Sequence, residues 1–126
     1  MNAGADITIA RVYDADTVEA GRARLLVDRL WPRGIRKADL AHDDWIREVA
    51  PSNQLRKWFG HLPERWDEFA NRYRAELDQN PDAVKRCLDW CDRGPVTLLY
   101  AAKDPDRNQA VVLCDYLRKR LGEKDA

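Results

Sequence analysis

The run Pro95-Val96-Thr97-Leu98-Leu99-Tyr100-Ala101-Ala102 constrains this chain more than any other segment. It is short and apolar, and Gly94 and the polar stretch Lys103 to Arg107 bound it, so it reads as a strand. Asn108 then stands where it can cap a helix whose apolar stripe is Ala110, Cys114, Leu117 and Leu121, with Gly122 closing it. Strand-like runs also occur near the N-terminus, and helical patterns fill the space between. That order predicts an α/β domain with a mainly parallel sheet.

The remaining punctuation fits. Ile7 to Tyr13 alternates and is rich in β-branched residues, which predicts a first strand. Asp14 to Ala23 reads as a connection. Arg24 to Leu30 predicts a second strand, apolar enough for a buried position and stopped by Trp31-Pro32-Arg33-Gly34. Asp44 to Ala50 fits a short strand before Pro51, although Trp45, Ile46 and Val49 also fit one helical face. Ser52 can cap a helix over Asn53 to Gly60. Pro63 opens a second, with Trp66, Phe69, Tyr73 and Leu77 as its apolar stripe. Asn80-Pro81 opens a third, in which Val84, Cys87, Leu88 and Cys91 repeat and which Gly94 ends. These readings predict one three-layer α/β domain over residues 1–126, its ordered core about 6–122. About four mainly parallel strands would carry helices on both faces.

Composition narrows the function classes. The 126 residues include 22 Lys plus Arg against 22 Asp plus Glu, so the chain is not a uniformly basic nucleic-acid binder. Apolar residues make up 44% and five Trp need burial, which excludes a disordered chain. No apolar run approaches the roughly 20 residues of a membrane span. Met1 to Asp6 lacks a basic end followed by an apolar stretch, so a cytoplasmic location is expected. Three Cys, an odd number, suit a reducing compartment. Cys87 and Cys91 share a helical face and read as core; no further Cys or His completes a metal set.

The neutral total conceals segregation. Arg22, Arg24, Arg29, Arg33, Arg36 and Lys37 face only Asp28 in their segment, whereas Asp39, Asp43, Asp44 and Glu48 follow against Arg47. In an open parallel sheet, ligands bind beyond the carboxyl ends of the strands. The second strand delivers Arg29, Trp31 and Arg33 there, and the last strand delivers Tyr100, Lys103, Asp104, Arg107 and Asn108. Arg suits phosphate and carboxylate, and a helix N-terminus at Asn108 favours an anion. Arg56 would add charge, and Trp31 or Trp58 a stacking surface. His61 and Asp104 are the candidate catalytic groups, with hydrolysis or group transfer the reactions open to them. An Asx-turn is the simpler role for Asp104. His42 reads as solvated. Asp28, set inside an apolar run, needs a partner such as an Arg or orients the site.

The leading expectation is therefore an anionic small-molecule site. A rival is single-stranded nucleic acid on the Arg22 to Lys37 segment, with Trp31 stacking on a base. A third is a protein-interaction module that uses Trp and Arg as anchors. No P-loop, G-x-G-x-x-G, G-x-S-x-G or H-E-x-x-H motif occurs.

Three stretches carry a family resemblance. They are Leu26-Val27-Asp28-Arg29-Leu30-Trp31-Pro32-Arg33-Gly34, Ala50-Pro51-Ser52 with Leu55-Arg56-Lys57-Trp58-Phe59-Gly60-His61, and Thr97-Leu98-Leu99-Tyr100-Ala101-Ala102-Lys103-Asp104. The chain resembles the YeaO-like branch of the domain of unknown function 488 family, from about Ile7 to about Leu121. The resemblance implies a bacterial α/β domain with no assigned activity and no cofactor. It also implies two departures. The sister branch carries a Cys and a Cys-His-Arg run where this chain has Tyr100 and Asn108-Gln109-Ala110, so thiol or metal chemistry does not transfer. Nearer relatives usually read Asn-His-Ala, and Gln109 here can hydrogen-bond but cannot shuttle a proton.

Overall fold

The computed structural model describes residues 6–125; Met1 to Ala5, on which the expectation about export rests, lie outside the described residues. Four strands form one sheet: β1 (Ile7–Arg11), β2 (Ala23–Leu26), β3 (Asp44–Trp45) and β4 (Val96–Tyr100). Their order is β1-β4-β2-β3, and every pairing is parallel. The helices are α1 (Asn53–Phe59), α2 (Trp66–Asp78), α3 (Pro81–Arg93) and α4 (Gln109–Asp125), and short 3-10 turns lie in the connections from β1 to α2. The α/β reading holds.

β4 explains the arrangement. It is paired on both sides and all five of its residues are buried, as its continuous apolar pattern requires. Alternate residues serve two cores. Val96, Leu98 and Tyr100 join Ile7, Leu25 and Val27 under residues from all four α-helices. Leu99 points the other way, to Val12, Leu26 and Leu40, with Trp31, Ile35 and Trp45 packed around them. The second face is thus covered by 3-10 turns and the loop after β2 rather than by α-helices.

Several predicted boundaries move. The first strand ends at Arg11, because Val12–Thr17 winds into 3-10 turns, and the last strand is Val96–Tyr100 rather than Pro95 to Ala102. The second strand ends at Leu26, not Leu30. One further ladder bond follows, from Val27 N–H to the Leu99 carbonyl at 3.1 Å. Then the Asp28 carboxylate, not a backbone carbonyl, accepts the Ala101 N–H at 3.0 Å. Asp44 to Ala50 is a two-residue strand followed by a 3-10 turn over Arg47–Val49. Asn80 does not cap α3; its Nδ2 donates to the Glu48 carbonyl at 2.7 Å. Gly122 does not end α4, which continues to Asp125.

The sheet edges are both occupied or short. At β1, Arg118 and Cys114 of α4 reach back to the Ile7 carbonyl, at 2.6 and 3.7 Å. At the other edge β3 offers two residues, and Asp44 is taken by Arg86 and by Trp90 Nε1 from α3.

Ser52 fixes the helix that carries Arg56. Its Oγ accepts the Leu55 N–H at 3.1 Å, and its own N–H and O–H donate to the Glu76 carboxylate of α2 at 2.9 and 2.6 Å. Ser52→Ala removes the cap and leaves Glu76 half-partnered. It is expected to lower stability by about 1–2 kcal/mol. Urea denaturation should show a lower midpoint at unchanged slope.

Candidate functional site

The chain leaving β2 turns toward the second core, through Trp31, Ile35 and Leu40, while the chain leaving β4 enters α4 on the opposite face. Between two parallel strands whose continuations diverge, a crevice must open at their carboxyl ends. A cleft of about 300 Å³ lies there. Its polar lining is Asp28, Arg29, Arg56, His61, Asn108 and Gln109. Apolar walls come from Ala50, Pro51, Phe59, Phe69, Ala101 and Ala102, with Leu30 at the lip, 64% exposed.

Each polar side chain has a local reason for its position. Arg29 donates through Nε to the Pro51 carbonyl at 3.2 Å and through Nη2 to the Ala50 carbonyl at 3.4 Å, which holds its charge at the wall. Arg56 is exposed on α1 and donates to Asn53 Oδ1 at 3.2 Å. His61 follows Gly60, and both are left-handed, at φ 53° for Gly60 and 58° for His61. That conformation is unusual for a residue with a Cβ, though His tolerates it better than most. It sets the imidazole at the mouth, 5.7 Å from the Phe59 ring. Asn108 is buried and caps α4, its Oδ1 accepting the Val111 N–H at 3.2 Å and its Nδ2 donating to the Asp104 carbonyl at 2.9 Å.

Asp28 joins the three segments that meet at the floor. One carboxylate oxygen accepts the Ala101 N–H after β4, and the other accepts the Gln109 side-chain amide at the start of α4. Its own carbonyl accepts from Trp45 Nε1 at 2.8 Å. Burial pushes the Asp28 carboxyl up from 3.8 to about 6, and the Ala101 and Gln109 bonds and the Arg56 charge offset only part of that effect. The acid in the apolar run therefore takes its direct bonds from an amide N–H and a Gln, while an Arg acts on it only through space.

Four of the residues expected to bind or act on a ligand meet in this cleft, Arg29, Arg56, His61 and Asn108, and Asp28, singled out as a buried acid, joins them. The others sit elsewhere. Trp31 packs in the second core, with its Nε1 on the Ile35 carbonyl at 2.6 Å and Lys37 over its ring. His42 is half-buried against Trp31, with Nδ1 2.9 Å from the Leu40 carbonyl, and is not simply solvated. Arg33 is exposed outside the cleft, where its carbonyl accepts the Tyr13 hydroxyl. Trp58 stacks with Arg65 and Arg72. Tyr100 is buried in the main core, and Lys103 is exposed outside the cleft.

The loop expected to seat an anion is filled by its own side chain. Asp104 Oδ1 accepts the N–H groups of Asp106 and Arg107 at 2.9 and 3.3 Å, and Oδ2 pairs with Arg107 at 3.3 Å. Those bonds, the Asp106 N–H first, hold the Asp104 carboxyl below its usual range. Asp104 is thus the Asx-turn and lies outside the cleft, as does Arg107. The thiols stand apart too. Cys87, Cys91 and Cys114 are buried, and burial raises Cys87 to about 12 and Cys91 to about 11. Sequence reasoning passed over Phe59, Phe69 and Pro51 as cleft walls, because core and cleft lining have the same apolar signature.

Comparisons with known proteins agree with one another. Residues 6–126 match the family described as the Inactive DUF488-N3 subclade. The chain is 47% identical over 113 residues to the uncharacterised protein YeaO of Escherichia coli (strain K12), covering 90% of this chain and 97% of that protein. It is 42% identical over 114 residues to an uncharacterised protein of Mycobacterium tuberculosis (strain ATCC 25618 / H37Rv), covering 90% and 95%. No solved structure matches. The chain belongs to this DUF488 subclade.

Asp28 gives a stability test. Its pKa is raised on folding from 3.8 to about 6, so the native state holds the proton more tightly than the unfolded chain. Stability from this group is greatest below about pH 4 and falls as pH rises through about 6. Asp28→Asn keeps an oxygen for Ala101 N–H and, with the Gln109 amide turned over, a donor for its carbonyl. It is expected to be more stable than the parent by about 1–3 kcal/mol above pH 6 and to lose this pH dependence. Asp28→Ala leaves both donors unpaired and is expected to cost about 1–3 kcal/mol. Urea titrations at pH 4.5 and 7.5 check both signs.

Proposed function

We propose that this member of the inactive DUF488-N3 subclade binds a small molecule bearing a carboxylate or phosphate in the cleft between the ends of β2 and β4. The observation that carries the reading is convergence. Arg29 after β2, Arg56 on α1 and His61 in the left-handed turn after α1 line one cleft with Asn108 at the start of α4. Two arginines from separate segments and an imidazole face one 300 Å³ space, and apolar walls there exclude water and strengthen each charged contact. Arg56, the most exposed of the arginines in the cleft, is the primary anion contact, and Arg29 contributes charge from the wall.

The subclade's description favours binding without turnover. So does Asp28, which is occupied in holding Ala101 and Gln109 rather than in activating a nucleophile. The basic segment supports a nucleic-acid track less well. Arg22 is spent on Asp6, Thr97 and the Val96 carbonyl, Arg24 on the Val18 carbonyl and Arg36 on Asp39. Trp31 is half-buried, with one ring contact already made by Lys37.

Titration of labelled protein with inorganic phosphate and with 4-methylpentanoate, followed by amide NMR, tests the reading. Shifts are expected at Arg29, Arg56, His61 and Gln109, and Arg56→Ala is expected to weaken binding roughly tenfold or more, as loss of a charged hydrogen bond does. Shifts confined to residues 103–107, or none at millimolar ligand, would overturn it. An oligonucleotide that moved residues 22–37 with a steep salt dependence would transfer the function to that segment.

A further inference from the structure

The cleft is not uniformly positive. Arg29, Arg56 and His61 share it with Asp28, a half-buried carboxyl that among the described residues is bonded to no cationic side chain. Each of its oxygens accepts one bond, whereas an ionised carboxylate offers about four acceptor sites. An anion with no other polar group would enter beside that acid and be repelled by it whenever it is ionised. A ligand carrying a donor cation as well would meet both signs.

We propose that the ligand of this cleft is a zwitterion of amino-acid type, its carboxylate on Arg56 and its ammonium on Asp28, with an apolar side chain against Phe59 and Phe69. This deepens the reading above and rests on it. Asp28 and Arg56 line the same cleft, so a molecule that carries both an ammonium and a carboxylate meets an opposite charge for each. Phe59 and Phe69 stack with ring centroids 4.3 Å apart and present an apolar wall beside these groups. Leu30 at the lip, an exposed large apolar side chain, would be covered by such a side chain. The α-ammonium fills an acceptor site on Asp28 without displacing Ala101 or Gln109, so the floor need not rearrange. A phosphomonoester satisfies Arg56 equally well and leaves Asp28 facing a second negative charge.

The test uses the intact chain at pH 7.5 and three matched probes, L-leucine, 4-methylpentanoate and 3-methylbutylamine, titrated by calorimetry. L-Leucine is expected to bind at least tenfold more tightly than either of the others. Asp28→Asn is expected to reduce L-leucine to the level of 4-methylpentanoate, while 4-methylpentanoate binds as well as before or better. If 4-methylpentanoate or 3-methylbutylamine matches L-leucine in the parent protein, the zwitterion is excluded, and that comparison needs no variant. Equal L-leucine binding by parent and Asp28→Asn likewise removes Asp28 as the ammonium partner. If L-leucine, 4-methylpentanoate and inorganic phosphate all fail to bind, the anion reading falls and this inference with it; if only L-leucine shows no advantage, the anion reading stands alone.

Discussion

One carboxylate holds the functional end of this molecule together. Asp28 extends β2 by a side chain instead of a backbone step, accepting the N–H that follows β4 and the amide that opens α4. It adds a tie between the ends of β2 and β4 just past the Val27 to Leu99 ladder bond. Burying an acid this way opposes folding, and the two bonds it accepts offset that cost only in part. An asparagine would close the floor more cheaply, since it keeps an acceptor for the Ala101 N–H without a charge to bury. It would also remove the one negative group that faces the arginines across the cleft.

Segregation of charge gives the neutral total its meaning. Many of the basic residues of the 22–37 segment are already engaged, bonded to carbonyls or to neighbouring acids. The cations that remain facing open space near the strand ends are few, and they come from different parts of the chain. Their meeting is a product of topology. β4 is last in the chain yet inserts between β1 and β2, so its exit lies directly beside Asp28.

Much of the architecture was legible in the residues, for a physical reason. Apolar periodicity, Ser52, Pro63, Asn108 and the glycines at helix ends encode local structure directly, and a buried parallel strand shows as the unbroken run of β4. The second strand's end was not legible, because nothing local distinguishes a backbone ladder from one completed by a side chain. Asp28 did stand out, as an ionisable group where apolar ones belong, although its partners lie 73 and 81 positions away. Of the cleft residues, Arg29, Arg56, His61 and Asn108 were accessible through residue type and position at strand or helix ends. Lys103, Asp104 and Arg107 shared the same outward signs. Whether a polar loop seats a ligand or satisfies itself depends on side-chain geometry, and the Asp104 carboxylate had already taken the loop's amides.

The borders of the sheet carry a consequence for how this chain behaves among its own copies. An edge strand with free amides and carbonyls is a template on which another chain can add. Here one border is two residues long and bounded by an acid held to α3, and the other has its first carbonyl covered from α4 by Arg118. Sheet growth from either side would first have to break a side-chain contact or begin on a ladder too short to hold. The same helix that begins at the cleft thus guards the far edge, and the open surface left for recognition is concentrated where the strands end.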